Sequence, residues 1–271
     1  MTAPTDISRE TVVAEAAARL ETATRDSAPC PPVRDLLGET DIDLAYAVQQ
    51  RLTERRIADG ARIVGRKIGL TSPAVQQQIG VDRPDFGVLF EDMDVSGMPE
   101  VPSHRLLQPK AEAEVAFVLG ADLDEDDLDI PGVRAAVDHA VAALEIVDSR
   151  VAGWDIRITD TVADNASSGL YVLGDRKVPL SEFEPVDVAM RMYVDDELVS
   201  EGNGAACLGD PLEALLWLAR TAREFGEPLR AGQVVLSGAL GPMVAAPPGV
   251  TVRAEISSLG SVTATFSDKD Q

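Results

Sequence analysis

The chain is poor in the side chains on which several common chemistries depend. Its 271 residues hold two cysteines, two histidines and 4% aromatic residues, and lysine plus arginine total 24 against 46 aspartates and glutamates. Cys30 and Cys207 lie far apart with no Cys-x-x-Cys spacing, which argues against a disulfide framework or a thiolate zinc site and fits a reducing cytoplasm. A two-histidine zinc site would consume both His104 and His139, and a catalytic triad would need one of them beside a nucleophile; neither has such company in sequence. The formal charge of -22 argues against nucleic acid or an anionic membrane as partner, although a local cationic pocket could still take a small anion. Long apolar runs are lacking too. Residues 231–250 carry no charge, but four glycines and three prolines interrupt them, so they read as strand, turn and loop instead of a membrane helix. The N-terminus has neither a basic start nor an apolar stretch of signal-peptide length, so secretion is not expected. There is no Gly-x-x-x-x-Gly-Lys loop and no Gly-x-Ser-x-Gly elbow, and the glycines at Gly202 and Gly204 lack the third glycine of a dinucleotide fingerprint.

What is present is a hydrophobic content of 45%, enough for one large domain or two small ones. Residues 8–25 and 41–59 read as amphipathic helices separated by Pro31 and Pro32. Residues 62–70 read as a strand, Ser72-Pro73 as the start of a short helix to residue 78, and 81–87 as a turn-rich loop. A helix is expected up to about His139, which would then sit near its C-terminal end. Later strands are expected at 170–174, 186–194, 233–237, 251–257 and 261–266, interrupted by a helix that Asp210-Pro211-Leu212-Glu213 caps. Helices first and strands later, without regular alternation, indicate an α+β architecture.

The most informative stretch is Ala111-Glu112-Ala113-Glu114-Val115-Ala116-Phe117. In a strand, a period of two puts Glu112 and Glu114 on one face, about 7 Å apart. Glu145 lies in a similar apolar setting, Ala143-Leu144-Glu145-Ile146-Val147, where an ionised group is costly unless paired or bound to metal. Three converging carboxylates would make a hard oxygen site for magnesium or manganese; three glutamates on half-exposed strands would simply face water. Pattern alone leaves both open. The alternate aspartates from Asp122 mimic a calcium loop, but Asp127 and Val133 stand where its glycine and bidentate glutamate belong. Lys67 and Arg66 must face opposite sides of their strand, and Lys67 either works beside a metal or snorkels to solvent. Asp85 reads as a positioned acid or a turn stabiliser, and the small polar run 160–169 as a capping loop or a pocket wall.

Six segments in order resemble the 2-keto-4-pentenoate hydratases of aromatic catabolism, within the fumarylacetoacetase superfamily. They are Gly65-Arg66-Lys67-Ile68-Gly69-Leu70-Thr71, residues 75–87, Gln108-Pro109-Lys110-Ala111-Glu112-Ala113-Glu114, Ala143-Leu144-Glu145, Asp160-Thr161-Val162-Ala163-Asp164-Asn165-Ala166-Ser167, and Gly238-Ala239-Leu240-Gly241-Pro242-Met243. The resemblance implies metal binding at Glu112, Glu114 and Glu145, with Lys67, Asp85 and Ser167 lining the pocket. It also implies dependence on Mg2+ or Mn2+, a homo-oligomer, and a helical region 1–60 on a fumarylacetoacetase-like β-rich core 61–271. Implied too is addition of water to a small 2-hydroxy-dienoate. The rival within the family is a 2-oxo-3-hexenedioate (4-oxalocrotonate) decarboxylase, whose pocket must take a second carboxylate; Arg66 and Asp85-Phe86 look more like the hydratase pattern. A hydrolase would lean on a histidine base that no site motif offers, and a non-catalytic, cation-binding acidic scaffold would show no turnover.

Overall fold

Capping residues start the helices where the sequence places them. In the computed structural model, which describes residues 8–72, 76 and 83–268, α1 (Arg9–Arg25) begins on Ser8, whose hydroxyl accepts the Thr11 N–H. After the single turn α2 (Arg34–Leu37), α3 (Ile42–Ala58) begins on Asp41, which accepts the Leu44 N–H. The later helices are α4 (Ile130–Ala136), α5 (Ile158–Ala163) and α6 (Pro211–Glu224). Asp210 caps α6 with proline at its first position, as expected. Ala16, Ala17 and Leu20 of α1 and Ala45 and Val48 of α3 share one buried cluster with Ile158, Val162 and Ala163 of α5. Small alanines on the contact faces let these helices approach closely. Among the described residues no helix is long and apolar enough to cross a membrane.

The strands are β1 (Ile63–Gly69), β2 (Asp85–Phe90), β3 (Lys110–Leu119), β4 (Val137–Val147), β5 (Ser168–Leu173) and β6 (Ala189–Val194), followed by β7 (Glu197–Asn203), β8 (Val234–Ala239), β9 (Val244–Ala245), β10 (Thr251–Ile256) and β11 (Gly260–Thr265). One sheet runs β2-β1-β8-β3-β4-β5 with β9 against β3; the other runs β11-β10-β6-β7. All pairings in the main sheet are antiparallel except β1 with β8, so a strand from late in the chain is inserted between two early ones. β10 and β11 pack on β4, and α6 on β8 and α4. The architecture is the α+β arrangement expected, with a β-rich core and flanking helices.

Four local expectations are corrected. The helix before His139 ends at Ala136, and His139 belongs to β4, opposite Val118, with its Nδ1 2.7 Å from Asp138 Oδ2. The β-branched and apolar run from Val137 pairs along most of β3, which outweighs helix propensity. Asp85 opens a fully buried strand instead of sitting in a loop. Residues 158–163 form a helix that periodicity could not reveal, since six residues make less than two turns. β7 was missed because most of its side chains are exposed, leaving no alternation to read. The short helix expected over 72–78 lies outside the described residues except for Ser72 and Gln76.

Candidate metal and substrate site

The β3–β4 register builds the site. Glu112 lies directly opposite Glu145, and Glu114 opposite Ala143. Opposed residues share a face, as do positions two apart on one strand, so the three carboxylates project together. One oxygen from each lies within 4.8 Å of the others. Glu114 is 0% and Glu145 1% exposed, which rules out glutamates that simply face water. Lys110 and Glu112 are half-buried while Glu114 is fully buried, so exposure along the stripe rises towards Lys110. Glu114 Oε2 accepts the Gly238 N–H at 2.7 Å, but among the described residues Glu114 Oε1 and both Glu145 oxygens have no hydrogen-bond partner. Buried anionic oxygens that converge without donors fit a hard divalent cation.

Lys67 stands on β1, between β2 and β8, and is 2% exposed, so it neither lies at a sheet edge nor snorkels. Its Nζ donates to the Ala166 carbonyl at 2.8 Å and lies 3.1 Å from Glu145 Oε1. That second contact is a buried ion pair. Asp85 is paired with Gly69 across β1–β2. A Cβ on Gly69 would fall 2.2 Å from Asp85 Oδ1 and 3.4 Å from Lys67 Nζ, so only glycine lets acid and amine meet there. Thr161 Oγ1 donates to Asp85 Oδ2 at 3.3 Å and lies 3.4 Å from Ser167 Oγ.

All six residues singled out from the sequence therefore lie in one connected cluster, the glutamates meeting Lys67, Lys67 meeting Asp85, and Thr161 linking Asp85 to Ser167. Sequence reasoning missed Thr161, the Gly238 N–H, the Ala166 carbonyl and the need for glycine at 69. Thr161, Ala166 and Gly238 stand in segments that carry the resemblance, but no local pattern gives their contacts; Gly69 stands two residues from Lys67 on the same strand face. Arg66 faces the other way, bonding Glu227 Oε2 at 2.6 Å, so it reports nothing about the charge of this pocket. A cavity of about 630 Å³ lies elsewhere, between α1, α3 and the sheet rim. Its Arg55, Arg56 and Arg105 are already paired with Glu21 and Asp92, so donor chemistry, not size, picks out the glutamate pocket.

Burial, and then the Glu145 charge, push Glu112 up to about 7. Burial with Glu145 and Glu112 holds Glu114 well above the ordinary carboxylate range, and burial raises Glu145 against the pull of Lys67. For Lys67 burial opposes the charge, but Glu145, Asp85, Glu112 and Glu114 outweigh it and raise the pKa. A carboxylate whose folded pKa exceeds its unfolded value keeps a proton in the folded state. Metal-free protein therefore loses stability as pH rises from 4.5 to about 7. A cation neutralises the same charges. The gain in melting temperature on adding manganese to EDTA-treated protein is expected to be small at about pH 5 and to widen towards about pH 8. A gain independent of pH would place the metal away from these glutamates.

The profile of the family described as fumarylacetoacetate (FAA) hydrolase C-terminal matches residues 75–267. The TodF product hydratase of Pseudomonas putida F1 is 54% identical over 261 residues, covering 96% of this chain and 97% of the relative. The 2-keto-4-pentenoate hydratase 2 of Dechloromonas aromatica is 53% identical, covering 93% and 96%. Among solved structures, 4-oxalocrotonate decarboxylase from Pseudomonas putida G7, complexed with magnesium and adipate, superposes with a TM-score of 0.89 at 34% identity, covering 97% of this chain and 100% of that one. A buried acidic site on paired strands, a β-rich core and these relatives lead to one conclusion: the chain belongs to the fumarylacetoacetate hydrolase family.

Proposed function

We infer that this protein is a metal-dependent hydro-lyase that adds water to 2-hydroxypenta-2,4-dienoate, giving 4-hydroxy-2-oxopentanoate. The observation that carries the reading is the convergence of Glu112, Glu114 and Glu145 within 4.8 Å beside the buried ammonium of Lys67. Relatives sharing 51–54% of residues over most of the chain are named as hydratases. The three glutamates would hold magnesium or manganese, which when bound supplies Lewis-acid stabilisation of charge on a 2-oxo acid and a template for its two oxygens.

The remaining chemistry falls to side chains. The dienol ketonises by losing its hydroxyl proton and gaining one at C5, giving a conjugated 2-oxo-3-enoate. Water then adds its oxygen at C4 while C3 takes a proton, so the net change is one water. Lys67 and Asp85, both within 3.4 Å of the point that a Gly69 Cβ would occupy, are the proton-transfer pair in this reading. Lys67 also offers a charge for the substrate carboxylate, and the hydroxyls of Ser167 and Thr161 orient substrate or water. A small-molecule partner, a cytoplasmic setting and a homo-oligomer complete the proposal; light scattering on purified protein tests the last.

The test follows the ultraviolet absorbance of freshly made 2-hydroxypenta-2,4-dienoate with manganese or with EDTA, and identifies the product by mass. Metal-dependent loss of absorbance with a gain of one water is expected. Release of carbon dioxide from 2-oxo-3-hexenedioate, with the dienoate untouched, would replace the reading by the decarboxylase. Silence on both would leave a cation-binding scaffold.

A further inference from the structure

Between α5 and β5 the backbone passes through three consecutive left-handed residues, Asn165 at φ 55°, Ala166 at 51° and Ser167 at 52°. None is glycine, and such conformations persist in residues with side chains only where the surroundings enforce them. The surroundings here are specific. The Asn165 side chain bridges both polar groups of Val88 in β2, Oδ1 accepting its N–H at 2.7 Å and Nδ2 donating to its carbonyl at 2.9 Å. Ser168 Oγ donates to the Asn165 carbonyl at 2.7 Å. Arg150 grips both ends of the segment, donating from Nη1 to the Ser168 carbonyl at 2.7 Å and from Nη2 to the Asp164 carbonyl at 2.6 Å, while its Nε bonds Asp164 Oδ1. The strand beneath is kept bare for it: a Cβ on Gly87 would fall 2.4 Å from the Asn165 carbonyl oxygen.

What the forced turn delivers is the inward face of the segment. The Ala166 carbonyl meets Lys67 Nζ at 2.8 Å, and Ser167 Oγ lies 3.4 Å from Thr161 Oγ1, which in turn bonds Asp85. A right-handed Ala166 would swing that carbonyl away from the amine. We propose that Asn165 and Arg150 are positioning residues, which clamp the left-handed segment 165–167 so that the Ala166 carbonyl aims Lys67 and the Ser167 hydroxyl stays in the pocket. The proposal rests on the hydratase reading of the same site. Both residues act through the segment, each bonding its backbone or the β2 strand beside it instead of the reacting groups.

Asn165→Gly tests the clamp, because glycine tolerates the positive φ while removing the amide bridge. Arg150→Lys is the second variant: it keeps a cation near Asp164 but cannot hold both carbonyls. Displacement of reacting groups by about 1 Å costs up to about 100-fold in rate, so kcat for hydration is expected to fall about 10- to 100-fold in both variants. Manganese affinity should stay close to wild type, since the glutamates are untouched. In protein labelled at alanine methyls, the Ala166 resonance should be single in wild type and broadened or split in Asn165→Gly. A role in stability alone would lower the melting temperature and leave kcat per folded molecule unchanged. Wild-type kcat with an unchanged Ala166 resonance in both variants would overturn the clamp. If wild-type protein does not hydrate the dienoate, the functional reading falls, and the resonance still shows whether the clamp exists.

Discussion

Glu114→Gln is expected to stabilise the metal-free protein while removing its metal-dependent turnover. Glu114 is fully buried, and among the described residues only one of its oxygens has a donor, the Gly238 N–H, which a glutamine carbonyl can still accept from. The carboxylate converges with those of Glu112 and Glu145, where an amide would donate instead of repel. Neutralising one of three clustered carboxylates should be worth about 1–2 kcal/mol in the absence of metal, which corresponds to about 3–6 °C in the melting temperature of EDTA-treated protein. Turnover with manganese should fall by about 1,000-fold, because a charged ligand is lost where the transition state needs electrostatic stabilisation. The manganese-induced gain in melting temperature should shrink with it. An EDTA-treated variant that melts at or below wild type would mean that the carboxylates do not repel one another in the folded protein.

Lys67→Met should lose activity with the opposite stability signature. Lys67 is the ammonium that offsets these carboxylates, and Glu145, Asp85, Glu112 and Glu114 all favour its charged form against its burial. Removing one partner of a buried pair leaves the other uncompensated, so the EDTA-treated variant should be destabilised by about 3–5 kcal/mol. Manganese affinity should hold or tighten, because a positive charge 3.1 Å from Glu145 Oε1 opposes a second cation. Turnover should drop by about 100- to 10,000-fold, the range for loss of a general acid or base. Comparing this variant with Glu114→Gln separates proton transfer from metal holding: one binds metal and does not turn over, the other binds it poorly. Wild-type turnover in Lys67→Met would remove Lys67 from the mechanism.

Residues that carry chemistry at a strand period were legible because the period alone decides their side: Glu112 and Glu114 had to share a face in any strand. Lys67 and Arg66 had to part for the same reason, although which of them met the glutamates depended on where β1 was placed in the sheet. His139 was misread since the switch from helix to strand after Ala136 is settled by pairing with β3, which no local propensity encodes. Asp85 was placed in a loop, as a positioned acid or a turn stabiliser, because Pro84 and Gly87 dominate its neighbourhood, whereas pairing with β1 makes it a buried strand residue.

By itself, then, the sequence determined the α+β class, the helix caps, the acidic stripe and its likeness to the hydratases. Convergence was decided by tertiary structure alone. Antiparallel register set Glu145 opposite Glu112, insertion of β8 between β1 and β3 carried the Gly238 N–H to Glu114, and the clamped segment 165–167 brought a carbonyl to Lys67. Each of these joins residues 30 or more positions apart. Such contacts follow from which strands pair and in what register, a choice made by burying the whole core at once and not by any local stretch of chain.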